Sequence, residues 1–402
     1  MRRILSKACQ FQTSFSEDAR AVQRSIDPPV LIIYAIVLLY LVLVGLLFVG
    51  LLRVFRAPPG DHVPDCKLTL IVPFRDEAVH LPGLVRDLLA QDYPGEKWRA
   101  IFVDDHSRDG GRFLLRELLS VSAHMQCIQL EAGREGKKAA LAAGMEVAES
   151  EWVLQCDADC RVGPQFISLH ARAAASGRAE FYAGPVTTAG TLKNLAAAFE
   201  RLDLLSLQAA GAGSFAYGRP LMCNGANLMY KKSLYDDTRR FDPVERTPSG
   251  DDMFLMIGAR KLGRKQAYLG DSGALVKTVP QGRWRRLIHQ RLRWMSKSPY
   301  YAMPDIQSLA VLVVLANVCI GLSPLLSLLY PGCWPEVLLL IGLKFFSDFL
   351  LCGSMARRTG QLRSMLFFPL VFLMYYPFYL VVLLGSVRKA PPWKGRRMMY
   401  NS

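Results

Sequence analysis

No two cysteines in this chain have the spacing of a disulfide framework or a zinc site. Nine are scattered over 402 residues. Cys156 and Cys160 flank two aspartates, but with no matching pair and no nearby histidine they make a poor zinc site. All nine read as reduced thiols, several in membrane or core positions. A secretory signal is also missing, since the first thirty residues are polar and mixed in charge. Acids are scarce relative to bases, 34 against 49, giving a formal net charge of +15. A basic excess serves nucleic acid, anionic headgroups or anionic substrates, and composition alone chooses none of them. Apolar residues are abundant at 51%, yet 21% of residues are charged. That combination is typical of a soluble domain joined to membrane segments, and the length suits one medium-sized domain plus something extra.

Residues 1–29 read as a polar tail closed by Asp27-Pro28-Pro29. Residues 30–52 are almost wholly apolar, broken only by Gly45 and Gly50, and about 20 apolar residues span a bilayer core as a helix. Arg53 and Arg56 follow at once, which places that end in the cytoplasm. Ala57-Pro58-Pro59-Gly60 is a linker, and residues 53–280 read as a cytoplasmic α/β domain. Strands at Lys67–Pro73, Arg99–Val103, Met125–Leu130 and Glu151–Gln155 alternate with helices at His80–Ala90 and Gly110–Ser122 and one from the Gly133–Lys138 stretch to Ala148. This rhythm predicts a parallel doubly wound sheet. Beyond it the pattern predicts a helix at Gln165–Ala175, a strand at Glu180–Gly184 and a long helix over Leu192–Ala210. Gly211, Gly213 and Gly218 then suggest a flexible approach to a sharply turning strand, Leu221–Asn227. Met253–Leu262 is helical.

Residues 281–304 are densely basic, with Trp284 and Trp294 interleaved, and predict an amphipathic helix at the membrane surface. An aromatic belt and headgroup attraction would alone explain its Trp and Arg content. Residues 305–387 hold three apolar stretches, Ile306–Tyr330, Val337–Cys352 and Met365–Val387. Lys344 and Asp348 lie four apart on one helix face of the second, and both should point into protein and pair, because intramembrane charge is costly. Residues 388–402 form a basic tail. One span before a cytoplasmic domain and three after it would leave that tail outside, against the positive-inside rule. Two or three spans are therefore expected in 305–387, with one of the last two segments re-entrant or interfacial. Pro369 and Pro377 point to the last, and the Lys344/Asp348 pair to the one before it.

Acids cluster just after the strands: Arg75-Asp76-Glu77, Asp104-Asp105-His106-Ser107 and Asp157-Ala158-Asp159. Carboxylates at the C-terminal edge of a parallel sheet face the crevice where open α/β sheets bind ligands. Two hard oxygen donors such as Asp157 and Asp159 suit Mg²⁺ or Mn²⁺, which share their shell with phosphates and water. Alone, an Asp-x-Asp is more often a turn whose side chains cap the next helix. Asp251 and Asp252 at the start of Met253–Leu262 are likewise open to a helix-dipole explanation.

Taken in order, these residues resemble the family 2 glycosyltransferases, the inverting nucleotide-sugar enzymes of GT-A fold, in their membrane-bound form. Pro73-Phe74-Arg75-Asp76-Glu77 matches the opening strand motif, and Asp104-Asp105-His106-Ser107 stands where the family has Asp-Asp-Gly-Ser. Gly136-Lys137-Lys138-Ala139-Ala140-Leu141 matches the Gly-Lys helix start, and Asp157-Ala158-Asp159 is the metal motif. Gly250-Asp251-Asp252 takes the place of Glu-Asp, and Gln290-Arg291-Leu292-Arg293-Trp294 fits Gln-x-x-Arg-Trp in full. His106 for Gly and Asp251 for Glu are the departures. Trp393-Lys394-Gly395-Arg396 is similar to the ends of some bacterial members.

The resemblance implies a doubly wound, mostly parallel GT-A sheet with flanking transmembrane helices, embedded in a bacterial inner membrane with its catalytic domain in the cytoplasm. It implies a hexosyltransferase moving sugar from a nucleotide diphosphate, UDP by family default, to a membrane lipid or lipid-linked acceptor. Asp252 would be the catalytic base. Pro73, Glu77, Asp104, Asp105, Lys137, Lys138, Asp157, Gln290 and Arg293 would bind the donor. Asp251 and Trp294 would meet the acceptor, and Asp157 and Asp159 would hold a divalent cation, Mg²⁺ or Mn²⁺. A processive polysaccharide synthase shares Gln-x-x-Arg-Trp, but three or four membrane segments leave little wall for a polymer channel. An inactive nucleotide-binding scaffold would not need Asp157, Asp159, Asp252 and Arg293 together. Nucleic acid is not expected as a partner, since it would not explain acid-bearing motifs at strand ends.

Overall fold

The computed structural model describes residues 28–56, 65–241, 250–329 and 334–386. The linker at 57–60, most of the N-terminal tail, Ser249 and the basic tail with its Trp-Lys-Gly-Arg lie outside the described residues.

The core is a seven-stranded sheet in the order β3-β2-β1-β4-β8-β6-β9. Its strands are β1 (Leu68–Phe74), β2 (Trp98–Asp104), β3 (Met125–Gln129), β4 (Trp152–Gln155), β6 (Phe181–Ala183), β8 (Leu228–Lys231) and β9 (Gln266–Tyr268). β5 (Cys160–Arg161), β10 (Val276–Thr278) and β7 (Val186–Thr188) form a small second sheet. β1 pairs in parallel with β2 on one side and β4 on the other, so the order reverses at β1, where open α/β sheets bind ligands. β8 runs antiparallel between β4 and β6, which makes the sheet mostly rather than wholly parallel.

Every residue of β1 is buried, because helices cover both faces. Leu68, Leu70, Val72 and Phe74 pack with α2 (Leu81–Leu89), α3 (Gly111–Leu119) and α5 (Phe166–Ala175). The alternate residue Ile71 packs with α4 (Lys137–Val147) and α8 (Asp251–Lys261). This is the period-two alternation of a strand buried on both sides.

A third core joins this domain to the apolar helices. α1 (Pro28–Val54) lies on α6 (Leu195–Phe215), together with α11 (Trp334–Arg358) and α12 (Phe368–Ser386). The flexible approach expected at Gly211 and Gly213 is corrected here, since both lie inside α6. A Cβ at Gly213 would collide with the Leu47 carbonyl of α1, and one at Gly50 with the Gly213 carbonyl. These glycines let two helix backbones touch, the use small residues serve where apolar helices cross. Residues 221–227 are also not a strand; they form an irregular approach to β8. α7 (Lys232–Thr238) follows β8.

α10 (Pro304–Leu329), α11 and α12 follow, and with α1 they account for the four helices among the described residues that are long and apolar enough to cross a membrane. α11 is longer than its apolar run, because Glu336 and Arg357–Arg358 sit at its ends. Lys344 and Asp348 pair as expected, Nζ to Oδ2 at 2.6 Å, and Tyr40 Oη donates to the other Asp348 oxygen at 2.6 Å.

Candidate active site

Four loops at the C-terminal edge of the sheet converge on one cleft of about 1180 Å³. The first two are tied together. Asp76 N donates to Ser107 Oγ at 3.0 Å, Arg108 N donates to the Asp76 carboxylate at 2.7 Å, and Ala78 N donates to Asp109 at 2.7 Å. Two non-glycine residues there take left-handed backbone conformations, Asp76 at φ 52° and His106 at φ 56°. Asp and His are among the residues that tolerate this region. His106 therefore occupies a backbone conformation that glycine reaches freely, and its ring meets the Arg134 carbonyl at 3.0 Å.

Asp104 is buried within its own loop, where Ser107 N donates to it at 2.9 Å. It does not line the cleft, whereas Asp105 does. The carboxylate of Asp105 accepts from Gly136 N at 3.1 Å, and so fixes the start of α4. That start aims the two expected lysines differently. Lys137 enters the cleft and pairs with Asp157 at 2.6 Å and Asp251 at 3.5 Å. Lys138 lies 4.9 Å over the Phe254 ring and is not a cleft residue. Asp104 and Lys138 are thus the two expected donor ligands that the structure does not bring to the cleft. Pro73, Glu77, Asp105, Lys137, Asp157, Asp159, Asp251, Asp252, Gln290, Arg293 and Trp294 all line it.

The acid pair of α8 is split by its surroundings. Burial opposes the charge of Asp251, but Lys137 and a 2.6 Å hydrogen bond from Gln155 hold its carboxyl below the usual range. Asp252 is pushed up by burial and by the neighbouring Asp251. Its oxygens accept from Gly225 N at 3.1 Å and Met253 N at 2.8 Å. Helix capping thus describes part of Asp252 and none of Asp251, whose partners lie on other elements. Environments that push paired acids apart mark distinct chemical roles.

Across the cleft, Asp159 is pushed up to about 6 by burial and by the charges of Asp157 and Glu77. Surplus negative charge of this kind fits a divalent cation. Among the described residues no group of three or more His, Cys, Asp or Glu is placed to hold a metal. The chain would therefore supply the two carboxylates and leave the remaining positions to phosphate and water.

The opposite wall is α9 (Trp284–Met295), which carries Gln290 to Trp294. It does not lie alone on a surface. Arg291 is buried and pairs with the buried Asp203 of α6, Nε to Oδ2 at 2.7 Å, while its guanidinium lies 4.1 Å over the Trp294 ring. Tyr379 of α12 donates to the other Asp203 oxygen at 3.2 Å. Glu200, one turn earlier on α6, accepts from Gln281 N and Gly282 N at 2.9 and 3.2 Å. Trp284 packs on Phe199 and Phe378. The aromatic-belt explanation therefore fails for Trp284 and Arg291. Gln290 Oε1 accepts from the Arg291 guanidinium at 2.6 Å.

Glu200, Asp203, Gln155 and Lys297 were not legible as site residues. Two acids three apart on a mostly apolar helix were the available signal for the first two. For Lys297 it was the spacing, four and seven residues after Arg293 and Gln290 on one helix face.

Residues 69–237 match the family model described as Glycosyl transferase family 2, and the chain has a GT-A-like fold. A curated relative, undecaprenyl-phosphate 4-deoxy-4-formamido-L-arabinose transferase of Aeromonas hydrophila, is 32% identical over 115 residues. That match takes in 28% of this chain and spans about a third, 35%, of the relative's length. Among solved structures, a mannosyltransferase from Pyrobaculum calidifontis, in complex with GDP-Man and Mn²⁺, superposes with a TM-score of 0.51 at 17% identity. The superposition covers 81% of this chain and 98% of that one.

Proposed function

We propose that this transferase moves a sugar from a nucleotide diphosphate to a lipid or lipid-linked acceptor at the cytoplasmic face of a membrane. The observation that carries the reading is the extent of one cleft. Its wall includes Asp157, Asp159 and Asp252 together with Ile306, Gln307, Ala310 and Val311, in the first turns of the apolar helix α10. A polar reaction centre and a membrane-type helix thus share one cavity, as an acceptor with a buried tail requires. The Aeromonas relative, named for a lipid-phosphate acceptor, supports the same reading.

The cleft residues divide the work. Glu77 and Asp105 hold the nucleoside near the β1 and β2 ends, and Lys137 and Arg293 face the diphosphate. Asp157 and Asp159 would hold a divalent cation, which would offset the charge of the departing diphosphate. The acceptor hydroxyl oxygen forms a bond to the anomeric carbon as the carbon–oxygen bond to the diphosphate breaks, its electron pair leaving with the diphosphate. Asp252 takes the hydroxyl proton. Attack opposite the leaving group inverts the anomeric configuration.

The test is binding of UDP, GDP and their sugar conjugates to detergent-solubilised protein with Mn²⁺ and with EDTA. Metal-dependent binding of one nucleotide is expected. Folded protein that binds none of them would refute the reading.

A further inference from the structure

The cation side of the cleft holds more charge than one diphosphate can use. Arg286, Arg293 and Lys297 fall at intervals of seven and four residues, and all three line the cleft. Lys297 lies just beyond α9, but its N–H donates to the Trp294 carbonyl at 3.3 Å, so the turn continues and the face is kept. At 1.5 Å per residue the row runs roughly 16 Å, longer than a single diphosphate.

Most cleft cations are already committed: Lys137 to Asp157 and Asp251, and Arg291 to Asp203. Lys297 is different. It is 7% exposed and makes no side-chain hydrogen bond or ion pair among the described residues. Its stem passes against Gly250, where a Cβ would come within 3.1 Å of Lys297 Cδ. Gly250, at φ 99°, caps the helix that begins with Asp251 and Asp252. The ammonium thus faces Asp252 in the cleft that the apolar turns of α10 also line, where Val311 is 57% exposed. The charges of Asp252 and Asp251 reach it, but a buried ammonium whose donors meet no acceptor is costly until one joins it.

We propose that Lys297 binds a phosphate on the acceptor headgroup, so that the acceptor is a phosphate-bearing lipid rather than a neutral one. This rests on the lipid-acceptor reading and names the class of lipid. With the tail against α10 and the phosphate on Lys297, the attacking oxygen, a headgroup hydroxyl or a P–OH of the phosphate itself, is delivered to Asp252, which takes its proton. Burial, with Arg293 and Lys137 nearby, lowers the Lys297 ammonium to about 8 against the pull of Asp252 and Asp251, which accords with a site completed by an incoming anion.

The experiment titrates full-length protein in neutral detergent with a polyprenyl phosphate, phosphatidylglycerol, diacylglycerol and inorganic phosphate, read by tryptophan fluorescence. A phosphate-bearing lipid should bind and diacylglycerol should not. Lys297→Gln should weaken that binding at least about tenfold, the size of one lost charge-assisted hydrogen bond. Lys297→Arg should retain it, and nucleotide binding should be unchanged in both variants. Equal binding of diacylglycerol, inorganic phosphate binding as tightly as the lipid, no binding of either phosphate-bearing lipid, or an unaltered titration in Lys297→Gln would each overturn the proposal. Nucleotide binding by the same preparations separates these outcomes from failure of the transferase reading, which would abolish nucleotide binding in the wild type.

Discussion

Asp251 and Asp252 share a helix turn, yet one is paired to Lys137 and the other is left to accept a proton. Asp252→Asn is therefore expected to lower turnover by roughly 10²–10⁴, the usual worth of a general base, while sparing metal-dependent nucleotide binding. Asp159→Ala should weaken both. Parallel binding and turnover assays check this, and equal loss of nucleotide binding in Asp252→Asn would remove it from the role of base. The pH profile follows from the same charges. Because burial and Asp251 raise Asp252, turnover should fall on acidification above the ordinary carboxylate range, as the base becomes protonated. On the alkaline side Lys297, faced by Asp252 and Asp251 from α8, Arg293 from α9 and Lys137 from α4, loses its charge near 8. The acceptor KM should rise through that pH in the wild type and stay flat in Lys297→Arg.

At the scale of elements, α6 is the member on which the others depend, and its workings were the least legible. β1 to β4 and their helices could be read from sequence because each is a local pattern with its own period. The same holds for the strand-end acids, since a strand end is also local. What α6 does depends on partners far along the chain. Asp203 meets Arg291 and Tyr379, Glu200 meets residues 281 and 282, and Gly213 meets Leu47. No period announces such contacts, and glycines inside a helix resemble a break until the crossing helix is known. Asp203→Ala leaves Arg291 buried without its partner, a loss of about 3–5 kcal/mol. The double variant Asp203→Leu/Arg291→Met should recover much of it, which unfolding of the three variants in detergent will show. Gly213→Val should force α1 from α6 and cost about 1–3 kcal/mol or more by overpacking, seen as a lower melting temperature in detergent.

At the scale of the whole molecule, the conflict between four apolar helices and a basic C-terminal tail turns on the segment from 362 to 386. The catalytic level is marked by the end of α1, by α6 and by α9. Arg358, closing α11, lies 4.5 Å over the Phe55 ring at the end of α1, so the chain enters the segment at that level. It leaves at the same level. Phe378 packs 4.5 Å from Phe199 of α6, Tyr379 reaches Asp203, and a Cβ at Gly385 would come within 2.9 Å of Leu292 of α9. Between these ends, Phe372 and Tyr376 lie 5.2 and 5.8 Å from Lys344, in the middle of α11. Contacts at the catalytic level near both ends of the segment favour a path that does not cross. We therefore propose that residues 362–386 are re-entrant and that the tail, with Arg388, Lys389, Lys394, Arg396 and Arg397, shares the side of the catalytic domain, as its charge requires. The measurement is labelling in intact cells and in inverted vesicles, with a membrane-impermeant thiol reagent, of single cysteines introduced at Ser402 and at the exposed Arg116 in a chain otherwise free of cysteine. Both should react from the same side, and opposite reactivity would show that the segment spans.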